Sequence, residues 1–416
     1  MKALVVGNGG REHAIAWKLS RSNRISGLYV APGNAGTGPL CENLAIDPQD
    51  TESLVRASVE RKVDLVFVGP EAPLAAGLVD SLEAAGVGVI GPPAKAAQLE
   101  ASKAESKRFM EAYRIPTAAH RTFTDTEMLA TYIRGTSRPL VVKKSGLAAG
   151  KGVIESDDPE TLVSAGQRFV REGDAVVVED RLTGYEVSVF GLSDGSDYVL
   201  LPVCTDYKKA GAGSTGPNTG GMGAICPVPW LTPETMDTIR EIIVEPTYAG
   251  LRDAGLMYRG ILYFGVMVTD DGPMLLEYNV RFGDPETQVV LPLIQNDFGN
   301  LCDALLQGAI ASFPVRFSPD TAVGVVIAAP GYPSEYTRGL VVDRLPNPPE
   351  NEGIVFHSAT VLDEDGSILT NGGRCFTVVG LGPELLTARS RAYAHAKDLT
   401  FEGSWFRPDI GGRIFG

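Results

Sequence analysis

Over residues 1–100, short apolar runs alternate with amphipathic stretches. KALVVG, LYVA, VDLVFVG and VGVIGP read as strands, and Arg11 to Arg21 and a stretch near Ala75 to Ala85 read as helices. Such alternation predicts a parallel sheet covered by helices. Each predicted strand runs into a loop rich in glycine, proline or asparagine (GNGGRE, APGNAG, VGPEAP, IGPP), where open parallel sheets bind their ligands. One helix is predicted from about Pro93 to Tyr113. A second α/β unit follows from about Ile115 to Arg181, with PLVVKKSGLAAGKGVIE as strand, glycine-rich loop and strand, then a helix, then AVVVEDRL as a strand. Val187 to Val203 continues in antiparallel strands, and GILYFGVMVTDDGPMLL predicts a hairpin turning at Asp271-Gly272. Helices are expected near Pro285 to Gly308. From about Thr321 the runs AVGVVIAAP, GIVFHSATVL and CFTVVGLG, with a helix near Glu384 to Lys397, form a small α+β unit. The predicted class is a multidomain protein, part α/β and part α+β. Its expected divisions are 1–100, 101–318 with a lid subdomain at about 115–185, and 319–416.

Composition narrows the function. A chain of 416 residues exceeds the size at which a single core stops growing. Its 44% apolar and 21% charged content fits a soluble enzyme. No segment offers the roughly 18 or more uninterrupted apolar residues of a membrane span, so no membrane partner is expected. The start, MKALVVGNGG, has no apolar leader segment, which places the protein in the cytoplasm. Cys41, Cys204, Cys226, Cys302 and Cys375 are scattered without metal or disulfide spacing, and His13, His120, His357 and His395 are equally dispersed. The net charge of −14 argues against a nucleic-acid partner. Positive charge gathers in mid-chain at Lys103, Lys107, Lys143, Lys144, Lys151, Lys208 and Lys209, a pattern suited to a small phosphorylated ligand in a cleft.

The motifs sharpen this. In LLEYNVRFGDPETQ, Glu277, Asn279 and Arg281 stand at i, i+2 and i+4 and share one face of an extended strand. Two oxygen donors and a guanidinium in a row suit Mg²⁺ and phosphate oxygens, although taken alone they also fit a solvated edge strand. Gly7-Asn8-Gly9-Gly10 looks like a dinucleotide fingerprint, but Glu12 takes the place of the third glycine. The turn can still offer backbone N–H groups to a single phosphate. The loop Ser145 to Gly152, bracketed by Lys143 and Lys151, lacks the Gly-Lys-Ser/Thr ending of a P-loop. It reads either as a cover for a polyphosphate or as a plain hairpin connection. DYKKAGAGSTGPNTGGMGA is too long a glycine-rich segment to be an ordinary connection.

Taken in order, GNGGREHA, VGPEAPLAAG, LEASKAESKRFM, GLAAGKGV, TGPNTGGMGA, LEYNVRFGDPETQ and FRPDIG resemble the phosphoribosylamine–glycine ligase (glycinamide ribonucleotide synthetase) family nearly end to end. The resemblance implies a Rossmann-like N-domain before an ATP-grasp fold. It also implies ATP-dependent joining of glycine to 5-phosphoribosylamine through a glycyl phosphate in purine synthesis. The implied cofactors are ATP and Mg²⁺ (or Mn²⁺); the implied partners are those two small substrates, and the expected form is a monomer. Glu277 and Asn279 would hold the metal. Arg281 would neutralise phosphate or the glycine carboxylate, and Asp206 and Lys208 would complete the catalytic set. Lys103, Lys143, Gly150, Lys151, Gly152, Glu179, Leu182 and Glu186 would bind ATP, with Leu147 to Gly152 as a lid. Gly220, Gly221, Met222, Gly283 and Asp284 would line the substrate region. Gly9, Gly10, Glu12, Asn34, Gly69, Pro70 and Glu71 would hold the phosphoribosylamine.

Four positions, Lys144, Ser145, Tyr185 and Tyr207, depart from the family pattern. Lys143-Lys144-Ser145-Gly146 stands where Lys-Ala-Asp-Gly is usual, Tyr207 stands where a histidine is more usual, and Tyr185 stands where an acid is common. The rival readings are another ATP-grasp carboxylate–amine ligase and, from a different class, a nucleotide-binding regulatory protein without turnover.

Overall fold

The structure, a computed structural model, describes residues 1–148 and 152–412. The N-terminal apolar runs form one parallel sheet in the order Glu42–Asn43, Gly27–Pro32, Lys2–Gly7, Leu65–Val68, Gly88–Ile90. Its inner strands are covered on both faces, which is why they read as continuous apolar runs. Strand order reverses about Lys2–Gly7, so the loops after Gly7, Pro32 and Val68 open at one carboxyl edge. The helix Thr51–Arg61 and the two-residue strand Glu42–Asn43 were not foreseen in the sequence.

Two expected helices are divided. The stretch expected near Ala75 to Ala85 is Glu71–Ala75 and Leu78–Ala84, parted at Gly77, whose φ of 86° suits glycine. The one expected from Pro93 to Tyr113 breaks at Ser102 into Ala94–Ala101 and Lys103–Ala112. Ser102 is extended there, and its Oγ accepts the Glu105 N–H at 3.3 Å. Ser145, from a distant strand end, accepts the Ala104 N–H at 3.0 Å on Oγ and the Lys103 N–H at 2.9 Å on its carbonyl. A tertiary cap satisfies the N-terminal amides of the second helix and overrides the continuous helical propensity.

The middle of the chain builds two antiparallel sheets. One runs His120–Phe123, Val176–Asp180, Leu140–Lys144, Val153–Glu155, and packs on the helices Thr126–Arg134 and Pro159–Arg171. The other runs Tyr198–Leu200, Tyr185–Asp194, Arg259–Thr269, Gly272–Asn279. The third region carries a sheet ordered Thr205–Asp206, Gly223–Cys226, Thr321–Ala328, Arg374–Gly382, Gly353–His357, backed by the helix Leu385–Asp398. Its first two strands come from the glycine-rich stretch in mid-chain, so this sheet joins residues on both sides of position 319. The N-terminal sheet and the strand Gly272–Asn279 share one core that contains Val66, Val68, Tyr278 and Val280, while Phe67 stacks on Phe282 at 6.1 Å. No helix among the described residues is long and apolar enough to cross a membrane.

Candidate active site

The site grows from the hairpin Arg259–Thr269 and Gly272–Asn279. Its pairing sets Tyr263 opposite Asn279 and Gly265 opposite Glu277, then slips so that Val266 faces Leu275. Leu276 is therefore the extra residue of a bulge. Before it Leu275 points into the core; after it Tyr278, Val280 and Phe282 do, and Glu277, Asn279 and Arg281 turn to the other side. Burying Tyr278, Val280 and Phe282, at roughly 1.5–3 kcal/mol apiece, fixes the polar face. Gly265 leaves room for Glu277, since a Cβ there would lie 3.3 Å from Glu277 Cγ. The neighbouring strand sets Glu186 opposite Met267 and Ser188 opposite Gly265, so Glu186 and Ser188 share the face of Glu277.

Arg281, just beyond the strand end, is held from the N-terminal domain. Its Nη2 donates to Glu100 Oε1 at 2.5 Å and to Asn279 Oδ1 at 3.2 Å, and its Nε lies 3.5 Å from Glu71 Oε2. Burial opposes the guanidinium charge, but Glu100 and Glu71 outweigh it and raise its pKa. Burial likewise raises the Glu100 carboxyl. At Glu71 the balance tips the other way, because Arg281 and Arg11 outweigh burial and hold the carboxyl below its usual range.

Beside them lies a carboxylate-rich floor. Lys208 Nζ donates to Glu186 Oε2 and lies 4.0 Å from Asp206 Oδ1. Glu286 Oε1 accepts from Ser188 Oγ at 3.3 Å, and Ser188 Oγ meets the Tyr263 hydroxyl at 3.1 Å. Burial, abetted by Glu286, Glu186 and Glu277 against Lys208, lifts Asp206 to about 7. Glu277 is also pushed up by burial, but Lys208, Lys103, Lys143 and Arg281 together hold it below its ordinary value, so it is a carboxylate at neutral pH.

A second cluster faces the glycine-rich loop. Glu179 Oε2 accepts from Lys143 Nζ at 3.0 Å and lies 3.1 Å from Lys107 Nζ, while Lys107 also donates to Thr117 Oγ1 at 2.6 Å. Burial depresses the Lys107 ammonium to about 8. Glu179 is 2% exposed, yet its Oε1 has no partner. Lys103 opens the helix Lys103–Ala112, and Leu182 sits in the link between the strands Val176–Asp180 and Tyr185–Asp194. Gly152 closes the described part of the loop by accepting the Lys144 N–H at 2.8 Å. Gly150 and Lys151, and with them the middle of the expected lid, lie outside the described residues.

Three of the four departures from the family pattern, Lys144, Ser145 and Tyr207, have local partners. Lys144 turns to Asp174 at 2.8 Å and Glu172 at 3.2 Å, away from Glu179. Ser145 supplies the helix cap described above. Tyr207 points to the C-terminal segment, where its hydroxyl accepts the Gly411 N–H at 3.0 Å and Arg407 lies over its ring at 5.2 Å.

The remaining expected residues divide. Asn8, Gly9, Gly33 and Asp284 line a cavity of ≈ 330 Å³ with Tyr332 and Arg374. Glu12 turns inward: its Oε2 accepts the Gly9 N–H at 2.6 Å and its Oε1 lies 2.5 Å from Arg11 Nε. Gly69 and Pro70 border it, since a Cβ at Gly69 would lie 2.0 Å from Glu12 Oε1 and Pro70 caps the short helix begun by Glu71. Gly10 is covered by Gln288 and Ser358, each 2.5 Å from where its Cβ would be. Asn34 Nδ2 donates to the carbonyls of Asn8 and His357 at 3.0 Å, joining the glycine turn to the C-terminal region. Met222 is fully buried with Val326 and Ala328. Gly220 and Gly221 meet Asp284 through Arg374 Nη1, which donates to the carbonyls of Gly220, of Gly221 at 3.4 Å and of Asp284 at 2.8 Å. A Cβ at Gly283 would lie 2.5 Å from Glu286 Oε2.

Sequence reasoning missed Glu100, Glu286 and Arg374 and left Lys107 without a role. The glycines at 220 and 283, whose Cβ space is taken by Arg374 and Glu286, were the available signal.

The donor set fits a cation that arrives with its ligand. Among the described residues no group of three or more His, Cys, Asp or Glu gathers as a metal cage. Glu277 and Asn279 offer two oxygens on one face, the pattern of Mg²⁺ held by a carboxylate and completed by phosphate oxygens and water. The unpartnered Glu179 Oε1 is an acceptor that a nucleotide N–H would satisfy.

Comparison with known proteins gives the family of the chain. Residues 1–100 match the N domain of phosphoribosylglycinamide synthetase, 101–287 its ATP-grasp (A) domain and 322–413 its C domain. A phosphoribosylamine–glycine ligase of Vibrio parahaemolyticus is 42% identical over 99% of this chain and 98% of its own length. The crystal structure of a phosphoribosylamine–glycine ligase from Thermotoga maritima superposes with a TM-score of 0.85 at 35% identity, over 99% of this chain and 100% of that one. The biotin carboxylase domain of a Hydrogenobacter thermophilus 2-oxoglutarate carboxylase, solved with MgADP, shares the fold at a TM-score of 0.76 and 16% identity, over 97% of this chain and 91% of that one. With most of its length matched by the three domains of one synthetase in order, the chain belongs to the phosphoribosylglycinamide synthetase family.

Proposed function

We propose that this chain ligates glycine to 5-phosphoribosylamine in purine biosynthesis, converting ATP to ADP and phosphate, with the face around Glu277 as the reaction centre. The observation that carries this assignment is the charge arrangement. Glu186, Asp206, Glu277 and Glu286 all act on the Lys208 ammonium, while Lys143 stands on the neighbouring sheet and Lys107 on the helix Lys103–Ala112. Surplus carboxylate beside clustered lysines suits a metal ion and a substrate ammonium on one side and phosphates on the other.

A carboxylate does not react with an amine at neutral pH, because oxide is too poor a leaving group. In the first step a glycine carboxylate oxygen attacks the γ-phosphorus of ATP and the bond to the β,γ-bridging oxygen breaks, releasing ADP. In the second step the amine nitrogen attacks the acyl carbon, phosphate departs with the former carboxylate oxygen, and the nitrogen loses a proton. Both steps depend on positioning and electrostatic stabilisation.

Glu277 and Asn279 hold Mg²⁺, which when bound neutralises phosphate charge. Lys103 and Lys143 bind phosphate oxygens, and Lys208 steadies the transferred phosphoryl group. Asp206 and Glu286 receive the glycine ammonium, and Arg281, kept cationic by Glu100 and Glu71, orients the glycine carboxylate. Glu179 and Leu182 border the adenine, with Glu186 at the ribose. The cavity bounded by Gly9, Asp284, Tyr332 and Arg374 takes the phosphoribosylamine. The proposal keeps the cytoplasmic, monomeric form expected from the sequence. Glycine labelled with heavy oxygen in its carboxylate tests the route. Label found in the released phosphate supports a glycyl phosphate, and unlabelled phosphate contradicts it.

A further inference from the structure

We propose that Arg374, on the C-terminal sheet, is a positioning residue for delivery of the amine, acting by locking the turn at Gly220–Gly221 to the turn at Gly283–Pro285. The inference rests on the ligase reading above. One nitrogen, Nη1, serves the carbonyls of Gly220, Gly221 and Asp284 and lies 3.5 Å from Asp284 Oδ1. Among the described residues, the Arg374 side chain makes its hydrogen bonds to these two turns alone.

The turns also press on each other. Gly221 has φ +104°, and a Cβ there would lie 2.5 Å from Pro285 Cδ, so neither turn shifts without the other. A Cβ at Gly220 would come within 3.0 Å of Arg374 Cζ, which reserves that position for glycine. The same region supplies a second tether, because the Tyr332 hydroxyl accepts the Gly220 N–H at 3.0 Å. Arg374, Tyr332 and Asp284 line the ≈ 330 Å³ cavity together with Asn8 and Gly9. Arg374 and Arg11 outweigh burial to keep Asp284 ionised, so removing Arg374 weakens the geometry of both turns and the charge balance of that cavity lining.

The nucleotide side is built separately. Glu277, Asn279, Lys143 and Glu179 are fixed by the two antiparallel sheets, and none bonds to Arg374. Loosening the two turns therefore spares nucleotide binding and impairs capture of the glycyl phosphate by the amine, leaving water to hydrolyse it. ADP then outruns product.

The test uses the full chain with Arg374→Ala and, independently, Tyr332→Phe, which keeps the ring and removes the acceptor. KM for each substrate and the ADP formed per glycinamide ribonucleotide are measured. For Arg374→Ala the expected result is a rise of about a hundredfold in KM for phosphoribosylamine, an ATP KM within about twofold of wild type, excess ADP and partial restoration by added guanidinium. Tyr332→Phe shifts the same quantities less. A parallel rise in both KM values without excess ADP or guanidinium rescue, or unchanged kinetics, overturns the proposal. If Arg374→Ala does not fold, Tyr332→Phe decides: unchanged amine KM with one ADP per product overturns it. Wild-type protein run alongside separates the two claims, since absence of product there defeats the ligase reading itself.

Discussion

Glu100 joins the N-terminal domain to the end of the strand Gly272–Asn279, taking Arg281 Nη2 at 2.5 Å on one oxygen and the Val280 N–H at 2.9 Å on the other. Both partners of the ion pair are largely buried. Removing the carboxylate strands a desolvated guanidinium, which costs about 3–5 kcal/mol. Glu100→Ala is therefore expected to lower the unfolding free energy measured by urea titration by that much and to reduce turnover, because Arg281 loses its orientation. A loss below about 1 kcal/mol, the range of exposed pairs, would show that Glu71 alone suffices.

Glu277→Gln keeps the shape of the side chain and removes the anionic ligand. ADP formation is expected to fall by about a hundredfold or more, with a lowered denaturation midpoint, since the carboxylate that Lys208, Lys103, Lys143 and Arg281 favour in the folded state is removed. Wild-type turnover by this variant sinks the metal assignment.

Gly69 tests whether the Glu12 carboxylate is a structural fixture. A Cβ at Gly69 would lie 2.0 Å from Glu12 Oε1, so Gly69→Ala displaces the group that caps Gly9. The expected cost is about 1–3 kcal/mol in thermal denaturation. Gly38→Ala, where a Cβ would meet only Asn43 Nδ2 at 3.9 Å, is the near-neutral control.

The contact between the N-terminal and C-terminal regions is expected to be acid-labile. The His357 N–H donates to His13 Nδ1 at 2.9 Å. Burial first, and then the charge of His357, takes His13 from 6.5 down to about 3; burial takes His357 from 6.5 to about 4. The unfolded chain thus binds more protons below pH 6.5, so stability falls as pH drops from about 6.5 towards the folded values. Denaturation midpoints measured across that window should slope more steeply for wild type than for His357→Gln. Equal slopes would remove these histidines from the acid response.

The N-terminal sheet was legible because a parallel strand covered on both faces must be an apolar run, as Lys2–Gly7 and Leu65–Val68 are. Glu277, Asn279 and Arg281 were legible because alternation after the bulge is undisturbed. The bulge itself was not, since nothing in LLEYN shows that Leu276 drops out of register. The helix break at Ser102 depends on Ser145, and the orientation of Arg281 depends on Glu100, both partners distant in sequence. Glu12 reads from sequence as a ligand acid, yet Gly7, Gly9 and Gly69 crowd its carboxylate, and only the fold brings Gly69 there.

The central claim is the coupling of three substrates at one site. Its most direct test is mass-spectrometric detection of glycinamide ribonucleotide from purified protein given Mg·ATP, glycine and phosphoribosylamine generated in the assay, with each component omitted in turn. The account predicts product in the complete mixture alone, with matching ADP release; ADP without that product, or neither from folded protein, contradicts it.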